Sequence, residues 1–144
     1  MLIRTLHEQR VLTTRQVADV GFSTYRLAQR RLDTLYALRI VDRFRPYRRP
    51  GSSQFHWVLD EAGASVIAAE RGVEVSALPW RRERALALAT SASLAHRVGT
   101  NGFFTALLRE SRTHPGRRLA TWWPEWRCAA AWGRVARPDG YGVW

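Results

Sequence analysis

The residues with the plainest chemistry in this 144-residue sequence are its arginines. There are 23 of them against 12 acids and no lysine, a net charge of +11. A guanidinium stays protonated in proteins, and its planar fork fits phosphate and the edge of guanine. The densest group is Arg43, Arg45, Arg48 and Arg49, four in seven residues with no acid among them. A second group, Arg26, Gln29 and Arg30, recurs at helical spacing, with Ser23, Thr24 and Tyr25 at its start. Like charges repel in such clusters unless a polyanion neutralises them. With a pI near 11.5, the expected partner is nucleic acid.

Other chemistries are poorly supplied. A single cysteine, Cys128, excludes an internal disulfide framework and a cysteine-rich zinc site. His96 and His114 form no recognisable arrangement with Cys128 or a serine, so neither is read as catalytic. Asp139, between Pro138 and Gly140, has the setting of a turn aspartate. No cofactor is expected, and no small-molecule ligand is evident. No apolar run approaches the length of a membrane span, and no N-terminal stretch reads as a secretory signal, so a cytoplasmic protein is expected.

The arginine groups need elements to position them. Leu2, Ile3 and Leu6 predict a first helix ending near Gln9 or Arg10. Thr13 followed by Gln16 predicts a capping box and a short helix that stops at Gly21. Ser23 is the expected N-cap of a third helix running to about Leu38, with Ala28, Leu32 and Leu35 in one row. Its opposite face holds Arg26, Gln29, Arg30 and Asp33. Residues 40–45 and 54–59 alternate as strands around a Pro/Gly/Ser-rich loop and predict a hairpin with a basic tip. Asp60 is expected to cap a helix through Glu70, closed by Gly72, with Ala62, Val66, Ile67 and Ala69 buried. This is the pattern of a helix-turn-helix with a wing.

The sequence divides near residue 72. Residues 1–59 carry a net +7 and residues 60–144 a net +4, while six of seven tryptophans follow residue 79. Residues 1–72 are read as a winged helix-turn-helix domain, 73–79 as a linker, and 80–144 as a small α/β part. The second part is expected to hold a helix from about Trp80 and another over 94–112, broken near Thr100–Gly102, with Val98, Phe103, Leu107 and Leu108 as core. A strand over 119–123, a strand or short helix over 126–132, and a strand around the turn at 138–140 complete it. The fold class is α+β.

Several segments resemble actinobacterial proteins of the replication-relaxation family. They are Arg10–Val17, Gln29-Arg-Arg-Leu, Asp42-Arg-Phe-Arg-Pro, Leu94-Ala-His96, Asn101-Gly-Phe-Phe, Trp122-Trp-Pro-Glu125 and Arg137-Pro-Asp-Gly-Tyr-Gly. The resemblance covers essentially the whole chain. It implies an N-terminal winged helix, a second part related to restriction-endonuclease-like folds, and a place on plasmids, phages or integrative elements. It also implies that Asp139 belongs to a metal-binding motif whose partner strand follows Trp144, so that the second part is incomplete here and Glu125 and Glu110 are the candidates for a second ligand, with no spacing that demands either.

The expected function is sequence-selective binding of double-stranded DNA by a homodimeric regulator of transcription or replication, without catalysis. Arg26, Gln29 and Arg30 are the base-edge candidates. Ser23, Thr24 and Tyr25 stand at the helix start, and Arg43, Arg45, Arg48 and Arg49 supply phosphate contacts. The alternatives are an incomplete metal-dependent nuclease or relaxation protein, and a protein-interaction module built on the Trp-rich part. Replacing Arg48 and Arg49 with Ala should weaken binding to all duplexes. A salt titration should show the log–log slope flattened by about 0.9 for each phosphate the variant no longer neutralises.

Overall fold

Thr13 and Gln16 form the capping box that their spacing predicts. The Thr13 hydroxyl accepts from the Gln16 amide, and the Gln16 side chain accepts from the Thr13 amide. In the computed structural model, which describes residues 1–46 and 53–144, the chain is α+β. The described elements begin with α1 (Leu2–Gln9), β1 (Leu12–Thr13), α2 (Thr14–Gly21), α3 (Tyr25–Ala37), β2 (Val41–Phe44), β3 (His56–Leu59) and α4 (Glu61–Arg71). They continue with α5 (Arg82–Leu86), α6 (Leu94–Thr113), β4 (Thr121–Pro124), α7 (Glu125–Trp132) and β5 (Gly140–Val143). Single 3-10 turns cover Val75–Ala77 and Ala87–Thr90.

The first three strands form one antiparallel sheet in the order β1-β3-β2, with Leu12 opposite Trp57 and Val41 opposite Leu59. Two-residue β1 is too short for periodicity to reveal. Trp57 is fully buried among Leu6, Leu12, Val17, Ala28, Leu32 and Val41, and its indole N–H donates to the Thr14 hydroxyl at 2.9 Å. That bond satisfies the one polar atom the ring carries into the core.

Two expected caps differ. The N-cap of α3 is Thr24, whose hydroxyl accepts from the Leu27 amide at 3.2 Å, while Ser23 lies exposed in the preceding turn. Starting the helix at Tyr25 lets Thr24 keep extended backbone and still reach the third helical amide. Asp60 stands at the N-cap of α4, but its carboxylate reaches outward to Arg39 at 2.8 Å and Arg82 at 3.0 Å. The same Arg82 also binds Asp42 of β2, and Arg39 also binds Glu61 at 2.9 Å. One carboxylate thus joins the ends of α3, β3, α4 and α5.

The buried face of α4 is Gly63, Ala64, Ile67 and Ala68, not the expected Ala62, Val66 and Ala69 beside Ile67. A Cβ at Gly63 would strike the Ile40 carbonyl and the Leu59 side chain. The helix therefore turns its smallest residues inward, and the larger Val66 is left exposed. Residues 73–79 are mostly exposed, with Val75 half-buried and Leu78 buried. Leu78 and the following Trp80 are buried against Leu59, Ile67 and Ala68, and the Trp80 indole donates to the Leu59 carbonyl at 3.3 Å.

Helix α6 is continuous through Thr100–Gly102. Asn101 is no break, because its buried amide donates to the Val11 carbonyl at 2.7 Å. The helix lies against α2, where the Gln16 side chain donates to the Val98 carbonyl at 2.6 Å and Arg112 donates to the Ala18 and Phe22 carbonyls. Phe103 is 62% exposed, and its neighbour Phe104 is buried in its place. Phe104 stacks on Trp122 at 5.3 Å, and Gly140 and Gly142 of β5 cross its ring so closely that a Cβ at Gly142 would sit 2.7 Å away. Residues 125–132 take the helical option of the two that the sequence allows.

Burial pushes the Asp60 carboxyl up, but hydrogen bonds from Arg39, the Glu61 amide and Arg82 outweigh it and hold the group below the usual carboxylate range. A depressed carboxylate stabilises the fold above its unfolded pKa of about 3.9, and the gain is lost as pH falls through the lower folded value. Asp60→Asn should therefore cost about 1–2 kcal/mol at pH 7, a value moderated by water on the outer sides of Arg39 and Arg82. Urea unfolding should show the gap to the parent closing below about pH 4.

Candidate nucleic-acid interface

Helix α3 buries Ala28 and Leu32, packs Leu35 partly against the same core, and exposes most of its remaining surface. Arg26 and Arg30, one turn apart, are exposed, and among the described residues neither side chain makes a hydrogen bond or ion pair. Arg31 is exposed beside them in the same condition, a cation that the helical row did not single out. Gln29 is already engaged, its amide donating to Asp33 at 3.1 and 3.2 Å. To read a base edge it would have to exchange that partner.

The start of the helix is organised by residues distant in sequence. Ser23, Thr24 and Tyr25 line a surface groove with Arg15, Arg109 and Arg112. The Arg15 guanidinium lies over the Tyr25 ring at 5.4 Å, and Arg109 pairs with Asp19 at 3.5 Å. The hydroxyl of Thr24 is committed to the helix cap. Arg15 had a legible signal: a cation in the first turn of α2 opposes the helix dipole, an arrangement an anion partner would offset. Arg109 and Arg112 had none, since only the docking of α6 on α2 brings them here.

The hairpin arginines divide into different roles. Arg43 is wedged between aromatic rings, 4.2 Å from Phe55, 4.5 Å from Tyr36 and 5.4 Å from Trp57, and it pairs with Asp33 at 3.1 Å. Its side chain is 27% exposed, so it braces the hairpin against α3. Arg45 lies over Phe55 at 3.8 Å. Arg48 and Arg49 fall outside the described residues.

A second cluster joins segments of the Trp-rich part. His96 of α6 meets Asp139 at 3.0 Å, both well exposed. Glu125 faces Arg97 at 3.9 Å, and both line one narrow cleft with Asn101 and Asp139. Asp139, expected as a solitary turn carboxylate, thus has a histidine partner 43 positions earlier in the sequence. Glu110 is taken by Arg117 and by His114 at 3.0 Å. Among the described residues, no three or more His, Cys, Asp and Glu groups are placed to hold one metal ion.

A family model described as replication-relaxation matches residues 3–144. The chain belongs to the replication-relaxation family. Membership makes it a replication-associated protein. No curated protein and no solved structure matches it. Among the described residues, no helix is long and apolar enough to cross a membrane.

The bracing geometry of Arg43 separates it from Arg26 and Arg30. Arg43→Ala should lower stability by about 1–2 kcal/mol through removal of a partly desolvated cation–π and ion-pair brace. Urea denaturation measures this directly, and an unchanged midpoint would show that the guanidinium braces nothing.

Proposed function

We propose that the protein binds double-stranded DNA with sequence selectivity, using α3 as a recognition helix and the β2–β3 hairpin as a wing. The reading includes a homodimer and a regulatory role in replication or transcription on a plasmid, phage or integrative element. The observation that carries it is a pair of guanidinium groups without a partner among the described residues, Arg26 and Arg30, one turn apart on the outer face of α3. Exposed arginines without acids are costly to crowd and ready to pair with phosphate and guanine.

Element order supports the reading, since α2, α3, β2 and β3 follow one another as a helix-turn-helix and wing require. Arg30 and Arg26 would take guanine edges, and Gln29 an adenine edge after releasing Asp33. Ser23 and Tyr25, beside Arg15 at the start of α3, would meet phosphate, which the N-terminal dipole favours. Arg45, Arg48 and Arg49 would add affinity without sequence information. Two chains would present two such helices to half-sites one helical turn apart.

A second reading, metal-dependent cleavage of DNA, draws on the His96–Asp139 pair and on Glu125 in the same cleft. Phosphodiester hydrolysis requires a metal in fixed geometry and a group that positions water. We propose binding without hydrolysis for residues 1–144. Duplexes enriched from a randomised pool should be bound in preference to unrelated duplexes. Arg30→Ala should weaken the enriched sites by roughly 1–3 kcal/mol and relax preference at one base pair, with stability unchanged. Equal weakening on enriched and unrelated duplexes would confine Arg30 to phosphate. Absence of enrichment would overturn the reading, and Mg²⁺-dependent nicking abolished by Asp139→Asn would put the second in its place.

A further inference from the structure

A cavity of about 210 Å³ lies between α1, the segment after Pro79, α5 and the start of α6. Its apolar wall includes Leu6, Trp80 and Leu88. Its charged wall is formed by Arg10, Arg81, Arg84 and Arg97, and no carboxylate among the described residues lines it. An apolar cavity of about 150 Å³ already accepts a benzene ring, so this one has room for a ring or short chain and a small head group.

Two groups in the wall lack the partners that burial demands. His7 is 1% exposed, and neither of its ring nitrogens has a hydrogen-bond partner among the described residues. The Nε of Arg97 is buried and likewise unpartnered. Buried polar atoms are almost always satisfied, and each orphan costs about 1–3 kcal/mol. The nearby charges do not remove the deficit. Arg97 has only a loose pairing with Glu125 at 3.9 Å, and Glu8, which is near Arg10, does not line the cavity. One N–H of Arg10 is spent on the Pro79 carbonyl at 2.7 Å, and Arg81 is bound to backbone carbonyls.

We propose that this cavity is a binding site for a small organic anion, a ring- or chain-sized apolar body bearing one carboxylate or phosphate head. The head would lie between Arg10, Arg84 and Arg97, with the His7 ring donating an N–H, and the body would fill the apolar wall. The electrostatics agree. Burial, then the charges of Arg71 and Arg10, hold the His7 pKa at about 4, so at neutral pH the ring is an uncharged donor. Burial, then the charge of Arg97, holds Arg10 below its usual value against the opposing pull of Glu8. The site joins α1 of the first half to α5 and α6 of the second, so its occupant would touch both.

Calorimetry of the full chain with benzoate, phenyl phosphate and neutral benzyl alcohol tests this without DNA, so the result is independent of the proposed function. At least one anion should bind saturably, one per chain and at least tenfold tighter than benzyl alcohol; which anion wins identifies the head group. Arg97→Gln and the exposed-site variant Arg84→Gln should each weaken that anion about tenfold and leave benzyl alcohol unaffected. By NMR the His7 pKa should rise on binding, since a neighbouring anion favours imidazolium. Lack of saturable anion binding, equal affinity for benzyl alcohol, or indifference to both arginine variants would overturn the site.

Discussion

Asp60 carries the constraint on which the rest of the first half depends. Its carboxylate is almost fully buried, and it holds Arg39 from the end of α3 and Arg82 from the start of α5. Arg82 extends the link to Asp42 at the base of the hairpin. A buried charge is tolerated only when its lone pairs are filled, and here the partners come from separate elements. The orientation of α3 relative to the hairpin is therefore set by charge pairing as well as by the apolar core beneath. Arg39 adopts positive φ at the turn out of α3, a strained position for a residue with a side chain. Its two ion pairs with Asp60 and Glu61 offset that strain.

The second half reinforces the same frame from the other side. Gln16 does two jobs: its oxygen closes the α2 cap, and its nitrogen binds Val98 of α6. Arg112 donates to the C-cap carbonyl of Phe22 and, as a second donor beside the Phe22 amide, to the Ala18 carbonyl at the C-terminus of α2. Helix α2 is thus tied at both ends by α6, and α3 follows it after a three-residue turn. The aromatic layer behind α6 is equally specific. Phe104 accepts Trp122 on one side and the bare backbone of Gly140 and Gly142 on another. The segments Asn101-Gly-Phe-Phe and Asp139-Gly-Tyr-Gly are in contact, which gives the glycines of the second a packing reason.

Arginines of one composition perform separate tasks here. Arg43 and Arg82 hold the hairpin and α5, Arg39 holds the α3–α4 corner, and Arg112 caps a helix. Arg26, Arg30 and Arg31 remain without a protein partner among the described residues. The net charge of +11 does not distinguish these groups. What separates them is whether an acid or aromatic surface lies within reach after folding.

Local rules were enough to read much of the chain from its residues. The α2 capping box, the span of α3, the two strands around the basic loop, and Gly72 at φ 64° all depend on neighbours within a few positions. The candidate arginines of α3 were legible for the same reason, since helical spacing alone separates Ala28 and Leu32 from Arg26 and Arg30. Contacts between distant residues decided the rest. The face of α4 follows from how closely Gly63 approaches Ile40, not from its hydrophobic pattern. Leu78, in the segment read as a linker, and Trp80 just after it fill a core with Leu59, Ile67 and Ala68 that local composition does not reveal. The pairing of His96 with Asp139 and the unpartnered ring of His7 are likewise products of tertiary packing. A sequence displays periodicity and capping because these act over one or two turns; it does not display which polar atoms remain unpaired, because that depends on every element packed around them.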